Sequence, residues 1–141
     1  KDEEIEIINR MTTGKEIQVN KILKPKDILD MREIVDDIYV DEKIKYYVTD
    51  IVFATRRPEE YKIDLSHLIE YGASPRASIS LINTAKANAF LNERGYVSPD
   101  DIKEIAYDVL RHRIILSYEA EAEEVTSDDI IKTILGKIRV P

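Results

Sequence analysis

The chain has 141 residues, with 21 Lys and Arg against 28 Asp and Glu, no Cys, and His67 and His112 as its two histidines. A net charge of −7 with no long basic run argues against general attraction to nucleic acid or an anionic membrane. Without cysteine there are no disulfides or thiolate metal sites, and two histidines do not make a histidine-rich metal centre, so no metal ligands are expected. Charged residues at 35%, hydrophobic ones at 43%, four Gly and five Pro suit one compact, all-α bundle. No apolar run approaches the roughly 20 residues that span a bilayer, and a cytoplasmic location is expected. Because the chain starts at Lys1 rather than Met, it is expected to be a piece of something longer.

Residues 2–12 place acids first and Arg10 late, the order a helix dipole favours, and Thr13-Gly14 supplies a stop. Residues 15–24 carry Ile17, Val19 and Ile22 in alternation, which allows a short extended segment there. Ile28, Met31, Ile34, Val35 and Ile38 keep a helical period over 26–38. Asp41 can cap the next helix, where Ile44, Tyr47, Val48, Ile51, Val52 and Thr55 form an unbroken stripe before Arg56-Arg57-Pro58. Residues 58–72 lack a sustained period and read as an irregular crossing with one short helical turn.

Ser74-Pro75 reads as an N-cap followed by proline at the first helical position. The helix is expected to run through Ala77, Leu81, Ala85 and Ala89 to about Arg94-Gly95. Ser98-Pro99-Asp100-Asp101 repeats that start, with Ile102, Ile105, Ala106, Val109 and Leu110 as the buried stripe and a helix end near Arg111-His112-Arg113. A linker containing the acidic residues 119–124 follows. Thr126 and Asp129 then open a last helix with the stripe Ile130, Ile131, Ile134 and Leu135, which Gly136 is expected to stop.

No nucleophile with a base, metal set or phosphate loop is evident. Gly14-Lys15 and Gly136-Lys137 lack the remainder of a phosphate-cradling motif, and Asp100-Asp101 and Asp128-Asp129 read as acids that stabilise first helical turns. The eight tyrosines are scattered rather than interleaved with basic residues, against a base-stacking platform. One feature goes against the dipole rule: Arg76, a cation in the first turn of its helix. It is either a solvated surface arginine or, with the free N–H groups of that turn, half of an anion site for phosphate or carboxylate.

Residues 71–114, YGASPRASISLINTAKANAFLNERGYVSPDDIKEIAYDVLRHRI, resemble the C-terminal helical lid of MoxR-type AAA+ ATPases. YYVTDIVFATR at 46–56 is similar to the helix that opens that lid, DEEIEIINR to the helix that closes the ATPase core, and ILGKIRVP to the family's chain end. The resemblance implies the end of the core and a connector over residues 1–24 and a lid domain over 25–141. It makes Arg76 the sensor 2 arginine that contacts ATP phosphate, with Ser74 and Pro75 setting its helix start and Gly72 allowing close backbone approach. Arg56 is a secondary candidate at the core and lid boundary.

ATP and Mg would be held mainly by the core, which lies outside this sequence, so this piece alone is expected to bind no cofactor and to have no catalytic residue. The parent would be an ATP hydrolase. Implied partners are the core of the same chain, neighbouring subunits of a homo-oligomeric ring, and von Willebrand factor A domain proteins remodelled in a chaperone-like manner, with no nucleic acid and no membrane. The rival reading is a stand-alone helical protein-interaction module without a nucleotide role, for which residues 119–124 would be a docking or solvated face.

Overall fold

The computed structural model describes residues 1–14 and 19–141. Residues 1–30 and 31–141 form two compact units. In the first, α1 (Asp2–Thr12) begins with Asp2, Glu3 and Glu4 and carries Arg10 in its last turn, where it pairs with Glu6 at 2.9 Å. No residue of α1 is buried, so its amphipathic face of Ile5, Ile8 and Met11 stands exposed. The helix stops at Gly14, which takes a left-handed φ of 65°. Residues 19–24 have no regular secondary structure, and Ile17 lies outside the described residues.

Helix α2 (Pro25–Asp36) starts one residue earlier than its period suggests, because Pro25 serves as its first residue. Its expected stripe is largely uncovered: Ile28 and Ile34 are exposed, and of that stripe only Ile38, beyond the helix end, is buried. Helical period thus predicts the element without guaranteeing a packing partner.

The second unit is built around α3 (Glu42–Ala54), α4 (Pro75–Leu91), α5 (Pro99–Leu110) and α7 (Ser127–Lys137). Asp41 caps α3 by accepting from the Lys43 N–H at 2.8 Å, and the whole predicted stripe from Ile44 to Thr55 is buried. Helix α4 packs most extensively against α5 and next against α3, while α5 also meets α7. The contact face of α4 is Ala77, Leu81, Ala85 and Ala89, all fully buried. Three alanines on that face let the neighbouring helices approach closely. The stripes of α5 and α7 complete the core, with Leu135 packed at its margin.

Several further details differ from the sequence reading. Helix α4 ends at Leu91 rather than near Gly95, because Glu93 takes the left-handed position with φ 57°. Glu93 N–H donates to the Phe90 carbonyl and Arg94 N–H to the Ala89 carbonyl, both at 2.9 Å, the paired bonds of a Schellman ending. Second, Gly136 does not stop α7; the helix continues through Lys137 and Ile138 leaves it in an extended conformation. Ile138 carries the chain out of the helix in extended backbone, so no left-handed residue is used there.

The third difference is a small antiparallel sheet. β1 (Ile69–Tyr71) pairs with β2 (Ile115–Leu116), with Ile69 opposite Leu116 and Tyr71 opposite Ile115. Ser117 ties the ends together, its N–H donating to the Leu68 carbonyl at 3.0 Å and its hydroxyl to the His67 carbonyl at 2.6 Å. Such short strands carry no readable alternation, and their pairing is non-local. The irregular crossing also contains the expected short turn, a 3-10 turn at Pro58–Tyr61. Within the acidic linker, α6 (Tyr118–Ala122) forms one further short helix, capped by the Ser117 hydroxyl, which accepts from the Ala120 N–H.

Candidate functional site

Arg76 is the second residue of α4, directly after Pro75. Its side chain is exposed and makes no ion pair or side-chain hydrogen bond among the described residues. Ser74 occupies the N-cap position with extended backbone, yet its side chain makes no capping bond, and the first turn of α4 holds no acid. In contrast, α3, α5 and α7 each have a side-chain cap and an acid in the first turn. Among the described residues, the start of α4 therefore has neither a side-chain cap nor a first-turn acid to compensate its positive end. An arginine and an open helix N-terminus together suit an anion with several oxygens.

The segment leading to Arg76 is held by the end of α3. Thr55 is fully buried, donates its hydroxyl proton to the Val52 carbonyl at 2.7 Å, and accepts the Ala73 N–H at 2.9 Å. Gly72 lies flat against the same residue. A Cβ added there would collide with the Thr55 carbonyl oxygen and come within 2.7 Å of Arg56 Cγ. This contact, rather than a left-handed φ, is what requires glycine.

Arg56 is exposed and lays its guanidinium over the Phe53 ring, 4.3 Å from the centroid. It also lines a cavity of about 170 Å³ with Thr55, Glu59, Ser66, Glu70 and Gly72. Of the residues singled out in the sequence, Gly72 and Arg56 thus meet at the Thr55 contact. Ser74, Pro75 and Arg76 follow it within four residues along the chain. Thr55 was legible only as a polar residue in the apolar phase of a helix stripe, and its bond to Ala73 spans 18 residues.

A second polar cluster, at Arg94 and Asp101, is structural. Asp101 is 1% exposed and accepts from Arg94, from Asn88 Nδ2 at 3.0 Å, and from the N–H and hydroxyl of Ser98, each at 2.8 Å. Burial by itself would raise the Asp101 carboxyl, but the bonds from Arg94 and Ser98 outweigh it and hold the group well below the usual carboxylate range. Every acceptor position is occupied from within the fold, which leaves no room for a ligand. No cluster of His, Asp or Glu suited to a metal occurs among the described residues.

The profile of the AAA lid domain family matches residues 64–134. The chain belongs to the AAA lid domain family. Among its relatives, Chaperone MoxR1 of Mycobacterium tuberculosis is 39% identical over 141 residues, covering 99% of this chain and 37% of that protein. Protein MoxR of Paracoccus denitrificans is 33% identical over 105 residues, covering 70% of this chain and 31% of its own length. A crystal structure of a provisionally assigned ATPase from Cytophaga hutchinsonii superposes with a TM-score of 0.92 at 45% identity, over 100% of this chain and 43% of that one. This is a lid of the MoxR type, and it spans 31–43% of the length of these relatives.

Proposed function

We propose that this lid contributes Arg76 to nucleotide binding and hydrolysis in a MoxR-type AAA+ ATPase and transmits nucleotide state to chaperone-like remodelling of partner proteins. The observation that carries the reading is the exposed Arg76, without an ion-pair partner among the described residues, at a helix N-terminus that has neither a side-chain cap nor a first-turn acid. A triphosphate presents the charge that this arrangement lacks, and an arginine donates to phosphate oxygens in a planar, directed manner.

Under this reading, residues 1–24 close the ATPase core and 25–141 form the lid, a division that keeps α2 whole. Nucleotide and Mg would be held chiefly by the core, with Arg76 neutralising phosphate charge from the lid side while Ser74 and Pro75 set the helix start that aims it. Arg56 would stand at the boundary between core and lid. Lid rotation would carry nucleotide state to neighbouring subunits of a ring in the cytoplasm, and von Willebrand factor A domain proteins are the partner class.

The test is Arg76→Ala in the intact gene product. ATP affinity or turnover should fall roughly tenfold or more, while the thermal midpoint of this lid stays nearly unchanged. Unaltered binding and turnover would reject the sensor assignment in favour of a helical interaction module.

A further inference from the structure

We infer that Thr55 is a positioning residue for Arg76, acting through the backbone of Gly72 and Ala73. This rests on the nucleotide reading of Arg76 and adds the residue that holds the arginine in place.

The geometry leaves Thr55 little freedom. Its hydroxyl proton is committed to the Val52 carbonyl, so the oxygen is left to accept from the Ala73 N–H. Ala73 is fully buried, so no solvent can replace that acceptor. Two residues before the helix, the chain is therefore pinned to the end of α3. Upstream, Tyr71 is paired with Ile115; downstream, Ala77 is buried in the core. The stretch from Gly72 to Arg76 is thus restrained at three points, and the Thr55 bond to Ala73 is the one that falls within it.

The same contact also governs Arg56. It follows Thr55 in sequence, and its Cγ lies close to the face of Gly72 that lacks a side chain. Thr55 therefore sets the placement of the backbone carrying Arg56 and of the backbone leading to Arg76. Relaxing it would let the α4 start shift relative to the α3 end without unpacking either helix. Misplacement of a directed donor by a fraction of an ångström to an ångström is costly when its target is a phosphate oxygen.

The experiment is a double-mutant cycle in the intact gene product, with ATP affinity and turnover as readouts and circular dichroism melting as a control. Thr55→Val keeps the shape and removes the hydroxyl; Thr55→Ser keeps the hydroxyl. We expect Thr55→Val to weaken ATP binding or turnover on the order of tenfold, Thr55→Ser to restore most of it, and Thr55→Val to add little once Arg76 is Ala. If Arg76→Ala is damaging but Thr55→Val acts equally in both backgrounds, or changes the melting midpoint alone, the positioning role is overturned and the sensor reading survives. If Arg76→Ala has no effect, the sensor reading itself fails. Should Thr55→Val not fold, Thr55→Ser with its methyl removed and hydroxyl retained decides: a tenfold loss there assigns Thr55 to packing and overturns the inference.

Discussion

Arg94 grips Asp101 with two guanidinium nitrogens, Nη1 donating to Oδ2 at 2.7 Å and Nη2 to Oδ1. The arginine is the last residue of the Schellman ending of α4, and the aspartate is the third residue of α5, where it also completes the capping box with Ser98. One bidentate pair therefore joins the end of one helix to the start of the next. Its carboxylate is inaccessible while its guanidinium is 29% exposed, so removing the arginine strands a buried charge.

Arg94→Ala should accordingly destabilise the fold in urea melts, because it leaves the buried Asp101 carboxylate without its bidentate partner. Arg94→Lys should recover only part of that, because an ammonium lacks the planar fork. A loss below about 1 kcal/mol would show that the pair behaves like an exposed surface bridge.

Stability should fall at both ends of the pH scale. The folded Asp101 carboxyl is depressed below its unfolded value of roughly 4, so its contribution is complete above that pH and is lost as pH drops through the lower folded value. Tyr61 is shifted the opposite way, to about 12, by burial first and then by its 2.9 Å bond to Asp50. Its contribution is complete below its unfolded value of about 10 and is lost as pH rises towards 12. Asp101→Asn should flatten the acid limb while lowering stability at neutral pH, and Tyr61→Phe should flatten the alkaline limb; melts across pH check both.

Three glycines should answer differently to alanine. Gly72→Ala forces a Cβ against the Thr55 carbonyl and should cost about 1–3 kcal/mol or more. Gly136→Ala lies inside α7 with nothing within 4 Å of the added carbon and should stabilise by about 0.5–1 kcal/mol. Gly95→Ala is equally uncrowded and should be close to neutral. Thermal melts in which Gly72→Ala is neutral would show that the Thr55 contact is loose.

The helices were readable because their causes are local. Asp41, Ser98 and Thr126 each sit within three residues of the N–H they bond, and the stripes of α3, α5 and α7 repeat at helical spacing. Gly95 marks the expected stop of α4 in the sequence, whereas in the structure Glu93 takes the left-handed position and leaves Arg94 next to Asp101. In α2 the period is present and the burial is not, since amphipathicity says nothing about what covers a face.

By itself the sequence determined the helical class, the caps at Asp41, Ser98 and Thr126, most of the buried stripes, and Arg76 as a cation where a helix dipole disfavours one. Local hydrogen bonds and side-chain periodicity suffice for these. The β1 and β2 pairing, the burial of Asp101 under Arg94, and the Thr55 contact with Gly72 and Ala73 were decided only in the tertiary structure. Each joins residues whose proximity depends on how the helices pack, and no local period or cap encodes that distance.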